Sequence, residues 1–329
     1  MKLKIDNDIK HIEIEYCPVM QFCGSNIIEK NRIIEIIRKY FSCSKYMEYE
    51  GILECKISLD NDEIGRKTFE LYYVAEAEDL INSIKLNKTS MVAKLVKNYI
   101  AEFECQEFMQ KIDDELMQIC NLINNEISQL GDIQLRYEMS ELWDMVQKSS
   151  IVPYNDNEYL ENKSGNELVN IYLNSLEKSL EIFPERTLVI FRDLDHLVKK
   201  SEYCDLVYRM KNISDNYDVH FIISSSIDGY CWLKNGLETG VTVFNDVIYG
   251  IPDMYHIKEF IENNYPYNRE LEYDELIEML QNVIHKIGGK GKLVSISDLV
   301  ILKLINESLA INECITKSPV EQEISFLLT

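Results

Sequence analysis

The chain is poor in residues that break or staple structure: it has 6 prolines, 12 glycines and no C-x-x-C pair among its 9 cysteines. So few breakers argue against a disordered or low-complexity chain. With 46% hydrophobic residues, they describe a globular and largely helical protein. An odd number of scattered cysteines argues against a full disulfide framework and for reduced, core-filling thiols in a cytosol. The 5 histidines lack H-E-x-x-H or zinc-finger spacing, which leaves zinc without a ligand set. Long apolar runs are missing as well. Residues 299–305 are interrupted by Lys303 and too short to span a bilayer, and residues 1–6 show no signal-peptide h-region. The expectation is a cytoplasmic chain with no membrane partner. Positive charge is scarcest of all: 34 Lys and Arg face 56 Asp and Glu, a formal charge of −22. Such a surface repels phosphate except where lysines gather locally.

Against that background, one motif stands out. The apolar run Val19-Met20-Gln21-Phe22 leads into Cys23-Gly24-Ser25-Asn26-Ile27-Ile28-Glu29-Lys30-Asn31. An amphipathic stretch follows, with Ile33, Ile34, Ile37, Tyr40 and Phe41 on one face. Strand, glycine loop and helix with a lysine at its start is the setting of a phosphate-binding loop. Two positions are wrong for nucleotide chemistry. Glu29 replaces the second glycine, bringing a Cβ and a negative charge to where backbone N–H groups should close on a phosphate. Asn31 replaces the hydroxyl that would ligate magnesium. Gly24, Ser25, Asn26 and Lys30 therefore read as a vestigial nucleotide loop, with no ATP expected and no enzyme activity.

The rest of the chain alternates in character. Residues 12–16 and 69–74 have strand periodicity. Apolar positions from Met91 to Leu130 repeat at three- and four-residue steps up to Gly131, which describes one helix of ~60 Å at 1.5 Å per residue. Helices at 141–147 and 166–182 accompany it. The continuous apolar run 187–191, a helix at 202–213 and the run 219–223 form a β-α-β unit. Helical patterns at 257–264, 273–287 and 298–309 follow, the last capped by Ser297. The fold class is α/β. An ATPase-like, parallel-sheet head (1–76 and 184–251) carries a long helical leg (77–183) and a C-terminal helical domain (252–329).

The first acid after the 187–191 run is displaced by Arg192, so Asp193 and Asp195 read as turn and capping residues more readily than as magnesium ligands. Ser224 to Ser226 sit where ATPases keep a polar sensor. Lys85, Lys88, Lys94 and Lys97 form a basic island with no acid between Asp79 and Glu102. Lys199 with Lys200, and Lys286 with Lys290 and Lys292, form two smaller ones. Each is a candidate for phosphate contacts or a plain solvated face. Asp132 and Glu138, near the break after the long helix, are the candidate metal ligands, calcium being a hard cation that takes several oxygens.

Taken in order, four features resemble the type II-A CRISPR adaptation subunit, the Csn-two family, in its longer form with an extra C-terminal domain. They are Gly24-Ser25-Asn26…Lys30, Lys88-Thr89-Ser90 at the start of a long helical arm, the 187–191 strand with Asp193-Leu194-Asp195, and Ser297-Asp298-Leu299-Val300-Ile301-Leu302-Lys303. The resemblance covers essentially the whole chain. It implies an ATPase-like head without ATPase activity and a homotetrameric ring whose lysine-lined hole binds double-stranded DNA ends. It also implies work in spacer acquisition beside the CRISPR integrase complex and the RNA-guided effector nuclease. Calcium at the head–leg junction belongs to shorter members; here the acidic cluster is thin, with Arg136 preceding Tyr137. A ring hides positive charge in its hole, which reconciles an acidic exterior with DNA. The alternatives are an ATPase using Lys30 and a helical scaffold that binds only proteins.

Overall fold

The computed structural model describes residues 1–6, 11–131, 133–136, 138, 141–154, 159–234, 236–266, 271–289 and 295–311. In chain order the first elements are β1 (Lys2–Asp6), β2 (His11–Glu15), β3 (Val19–Cys23), α1 (Ile27–Phe41), β4 (Lys56–Leu59), β5 (Asp62–Glu63) and β6 (Glu70–Val74). Five helices follow: α2 (Ala77–Ile84), α3 (Met91–Ile100), α4 (Phe103–Ile127), α5 (Leu142–Val146) and α6 (Gly165–Ile182). The chain then returns to strands with β7 (Thr187–Phe191), α7 (Lys200–Asn216), β8 (Val219–Ser224), β9 (Val241–Phe244) and β10 (Ile248–Gly250). It closes with α8 (Met254–Asn264), α9 (Tyr273–Val283) and α10 (Ile296–Ser308). Contacts divide it into two compact units, Glu76–Pro184 and the remainder.

The larger unit is built on a six-stranded sheet of order β10-β9-β3-β8-β7-β6, parallel except for the β9–β10 hairpin. Strands covered on both faces must be apolar throughout, and β3 and β7 are buried at every position. The fold class read from the sequence is the one observed, α/β with a parallel sheet. Helix α1 buries Ile33, Ile34, Ile37, Tyr40 and Phe41, the predicted face, together with Ile36 and Lys30. That face packs in one core with Leu3, Ile5, Ile12 and Ile57 of a small antiparallel sheet, order β2-β1-β4-β5. A second core joins Cys23, Val241 and Val243 to α8, α9 and α10 through Ile257, Leu276, Leu280, Ile301 and Ile305. The helices after residue 252 are thus built onto the sheet of the same unit. Helix α10 starts two residues earlier than its sequence pattern, because Ser295 rather than Ser297 accepts the Asp298 N–H.

Among its described residues the smaller unit has helices and loops and no strand. The apolar stripe from Met91 to Leu130 is two helices, not one, although no glycine or proline interrupts it. The Ala101 N–H bonds to Lys97 and Asn98 carbonyls, tightening the last turn of α3. Glu102 is extended (φ −66°, ψ 149°), and the Gln106 side chain donates to Ile100 O at 2.8 Å. The break separates two environments. Helix α3 buries Met91, Ala93 and Leu95 and packs against α2 and α6, whereas α4 buries only Met109 and Asp113 over 25 residues, or about 37 Å. Phe103, Phe108, Met117, Ile119 and Leu122 of α4 are exposed.

Ser90 starts α3: its Oγ accepts from Ala93 N at 3.0 Å and donates to Lys85 O at 2.6 Å, while the residue is almost fully buried. Ser90→Ala removes both bonds and leaves a buried N–H unpaired. A loss of about 1–2 kcal/mol is expected, read as a lower thermal unfolding midpoint, with Ser90→Thr largely restored.

Candidate functional site

Gly24 turns the chain out of β3 with φ +101°, a conformation in which any Cβ would run into the Phe244 backbone. Asn26 then caps α1: its Oδ1 accepts from Glu29 N at 3.1 Å, and its own N–H donates to Phe244 O at 2.9 Å. In a working phosphate loop the N–H groups here would face a ligand. In this chain a side chain takes the ligand's place. Asn245, just after β9, accepts on its Oδ1 from both Ser25 N at 2.8 Å and Ser25 Oγ at 2.7 Å. Its Nδ2 donates to His285 O at 3.1 Å and Ile287 O at 2.5 Å, and its carbonyl accepts from Asn26 Nδ2 at 3.0 Å. One buried carboxamide thereby fills the loop and ties it to the turn after α9.

Lys30 is equally committed. It is fully buried, and its ammonium donates to Gly24 O at 3.3 Å and to Ser225 O. Burial lowers its pKa from the ordinary value, with the fields of Cys23, Asp193 and Asp195 acting the other way. Glu29 pairs loosely with Arg32 at 3.7 Å and lines a cavity of about 340 Å³ in front of the loop. Glu13, Asp246 and His11 line the same cavity, and Glu13 is paired there with His11 and Lys2. Asn31 Oδ1, at the magnesium-ligand position, is buried without a hydrogen-bond partner among the described residues.

The acids beyond β7 serve the backbone. Asp193, in the left-handed region at φ 53°, donates its N–H to Ser224 Oγ at 2.8 Å. Ser224 Oγ in turn donates to Asp193 Oδ1 at 3.3 Å. Asp195 Oδ2 accepts from Ser226 N at 2.7 Å, Ile227 N at 2.7 Å and Ser226 Oγ at 3.1 Å. Both carboxylates therefore lace the end of β7 to the end of β8. Behind the loop, hydrogen bonds from Cys231, then His285 and Ser225, hold the Cys23 thiol well below its ordinary pKa, while burial pushes Cys231 up. Sequence reading missed Asn245 and this thiol pair, because their partners come from distant parts of the chain.

The basic islands fall in both units. In the smaller one, Lys88 and Lys97 are exposed and Lys85 and Lys94 half-buried. Lys85 pairs with Glu161 at 2.8 Å, and the Lys97 ammonium lies 4.4 Å over the Trp143 ring. In the larger unit the structure brings two islands together. Lys200 lies against Gly229, whose N–H donates to His285 Nδ1 at 3.4 Å, and neighbouring Lys286 pairs with Asp228 at 2.6 Å. Lys199 and Lys200 are exposed beside this loop. Lys290 and Lys292 lie outside the described residues, as does Asp132. Glu138 is exposed, and among the described residues no three His, Cys, Asp or Glu side chains are grouped to hold a metal.

The buried ammonium gives a pH test. Because the folded pKa of Lys30 is lowered, the unfolded chain binds more protons between that value and about 10.4. Stability from this group therefore rises with pH across that window. Wild type should gain stability relative to Lys30→Met between pH 8 and pH 10.5 in urea titrations; a constant difference would place the ammonium in water.

No family model matches the chain, and no curated protein matches it. Among solved structures, Stu0660 of Streptococcus thermophilus superposes with a TM-score of 0.88 at 19% identity, covering 100% of both chains. At that identity the match shows a shared fold along the whole length. The SMC head bound to the C-winged helix domain of ScpA (TM-score 0.40, 12% identity, 70% of this chain and 90% of that one) is far more remote. The recombination mediator RecF with ATP is also remote (0.29, 12%, 68% and 92%).

Proposed function

We propose that this chain is a non-catalytic protein that binds double-stranded DNA ends without regard to sequence and acts in CRISPR spacer acquisition. The observation that carries the reading is a phosphate loop filled from within, in a chain that keeps lysine islands elsewhere. Asn245 occupies Ser25, Lys30 is spent on two carbonyls, and Glu29 puts a carboxylate on the cavity beside the loop. An ATPase frame so altered is suited to scaffolding and binding. The family resemblance supplies the rest: a homotetrameric ring, duplex DNA as ligand, and the integrase complex and RNA-guided nuclease as partners. No step of this reading uses calcium.

Lys85, Lys88, Lys94 and Lys97 are the proposed phosphate contacts. The Lys85–Glu161 pair is open to solvent and worth little, so a phosphate can displace it. The exposed apolar face of α4 favours self-association, and equally a protein-only scaffold, which would bind no DNA at any salt concentration.

Two measurements test this. Steady-state ATP turnover with magnesium should equal the blank; turnover that vanishes in Lys30→Ala would make the chain an ATPase. For DNA, Lys85→Glu with Lys88→Glu should abolish binding of linear duplex while light scattering still reports a tetramer. Each phosphate contact contributes about −0.9 to the slope of log affinity against log salt. An unchanged slope in the double variant would make these lysines a solvated face, and a wild-type monomer at micromolar concentration would remove the ring.

A further inference from the structure

Arg66, in the loop before β6, clamps the end of α1. Its Nε donates to Tyr40 O at 3.0 Å, and its Nη2 donates to Lys39 O at 3.2 Å and Ser44 O at 2.6 Å. The Cys43 thiol donates to Arg66 O at 3.2 Å, and Tyr40 Oη donates to Ile64 O at 2.5 Å. These bonds hold two loops, residues 42–47 and 64–68, side by side. Neither contains a single Asp or Glu, in a chain with 56 of them. The pairing is invisible in sequence, since the loops lie some twenty residues apart and each carries only one or two cations.

The charges in this patch differ in availability. Arg38 and Lys39 are already paired, with Glu35 at 2.6 Å and Glu50 at 2.8 Å. Lys45 and Lys67 are exposed, and neither has a carboxylate partner among the described residues. Arg66 donates to carbonyls and lies over the Tyr40 and Tyr46 rings, with no carboxylate partner among the described residues, so its charge is fixed in place and not cancelled. The Arg66 guanidinium lies 5.1 Å and the Lys39 ammonium 5.9 Å from the centroid of the Tyr46 ring. Ser42 and Ser44 add exposed hydroxyl groups. Glu48, Glu54 and Glu63 are also exposed and bound the patch.

We propose that this paired-loop surface contacts the phosphate backbone of duplex DNA, as an anchor separate from the lysines at 85–97. Recognition of a protein carboxylate would use a free, two-pronged guanidinium, but the Nε and Nη2 of Arg66 are already committed to carbonyls. Ser42 Oγ already donates to Lys39 O at 3.1 Å and lies 3.0 Å from Ser44 Oγ, so the groups left for a ligand are the exposed ammonium point charges of Lys45 and Lys67, which suit phosphate oxygens and read no sequence. The acidic surface elsewhere repels the duplex, so acid-free patches select where it lies.

The inference rests on the reading of the chain as a DNA binder, and the test separates the two. Fluorescence anisotropy of a labelled 30-bp duplex is followed from about 50 to 200 mM salt, the range over which phosphate contacts dominate affinity. Samples are wild type, Lys45→Glu/Lys67→Glu, Lys45→Gln/Lys67→Gln, and Lys178→Glu/Lys303→Glu as a control of equal charge change. The glutamate pair should weaken binding about tenfold or more. The glutamine pair should flatten the salt slope by about 0.9 for each phosphate it no longer neutralises. The control should do neither, and all four should share one unfolding midpoint. Wild-type affinity in both loop variants, or equal weakening in the control, overturns this surface but leaves the Lys85 and Lys88 contacts standing. A wild type that binds no duplex overturns both.

Discussion

A buried ammonium needs partners, and here it finds them in the protein. Lys30 is enclosed at the end of the central strand, where an ATPase would offer it phosphate oxygens; it donates instead to the carbonyls of Gly24 and Ser225. Ser225 follows β8, the strand beside β3, and Gly24 follows β3 itself, so one cation ties the ends of two neighbouring strands. Asn245 does the same on the other flank, joining the loop to the turn after α9. Breaking a buried polar network by removing one partner leaves the others unsatisfied, which is costly. The loop is therefore a structural joint among β3, β8, β9 and the C-terminal helices.

Electrostatics explains how such a protein could still engage a polyanion. A formal charge of −22 is spread over the chain, yet lysines gather at residues 85–97, around the 226–230 loop, and at the paired loops beside α1. Cations within an acidic field act locally, because screening limits each to about 8 Å at physiological salt. Repulsion from the rest of the surface then discourages binding anywhere else. Net charge alone would have excluded DNA; its distribution does not.

Much of the fold was legible in the sequence. The largely apolar runs of β3 and β7 read as buried strands, and the Ile33–Phe41 face as the buried side of a helix, and both are observed. Glu29 and Asn31 marked departures from a phosphate-binding loop without any structure. The bond from Ser25 to Asn245 was not legible, since the two lie 220 residues apart and nothing local marks it. Nor was the break at Ala101 and Glu102, where both sides have good helix formers and only the change of packing partners separates α3 from α4. The convergence of Lys200 and Lys286 was hidden for the same reason as Asn245: contacts between distant segments leave no periodicity to read.

The central claim is that the phosphate cradle is filled by the protein's own carboxamide. A crystal structure of the full chain grown with magnesium and millimolar non-hydrolysable ATP tests it directly. The account predicts Asn245 Oδ1 still on the Ser25 N–H, Lys30 still on its two carbonyls, and no triphosphate in the loop. Ordered β- and γ-phosphates on the Ser25 N–H, with Asn245 swung away and Lys30 turned toward them, would contradict it.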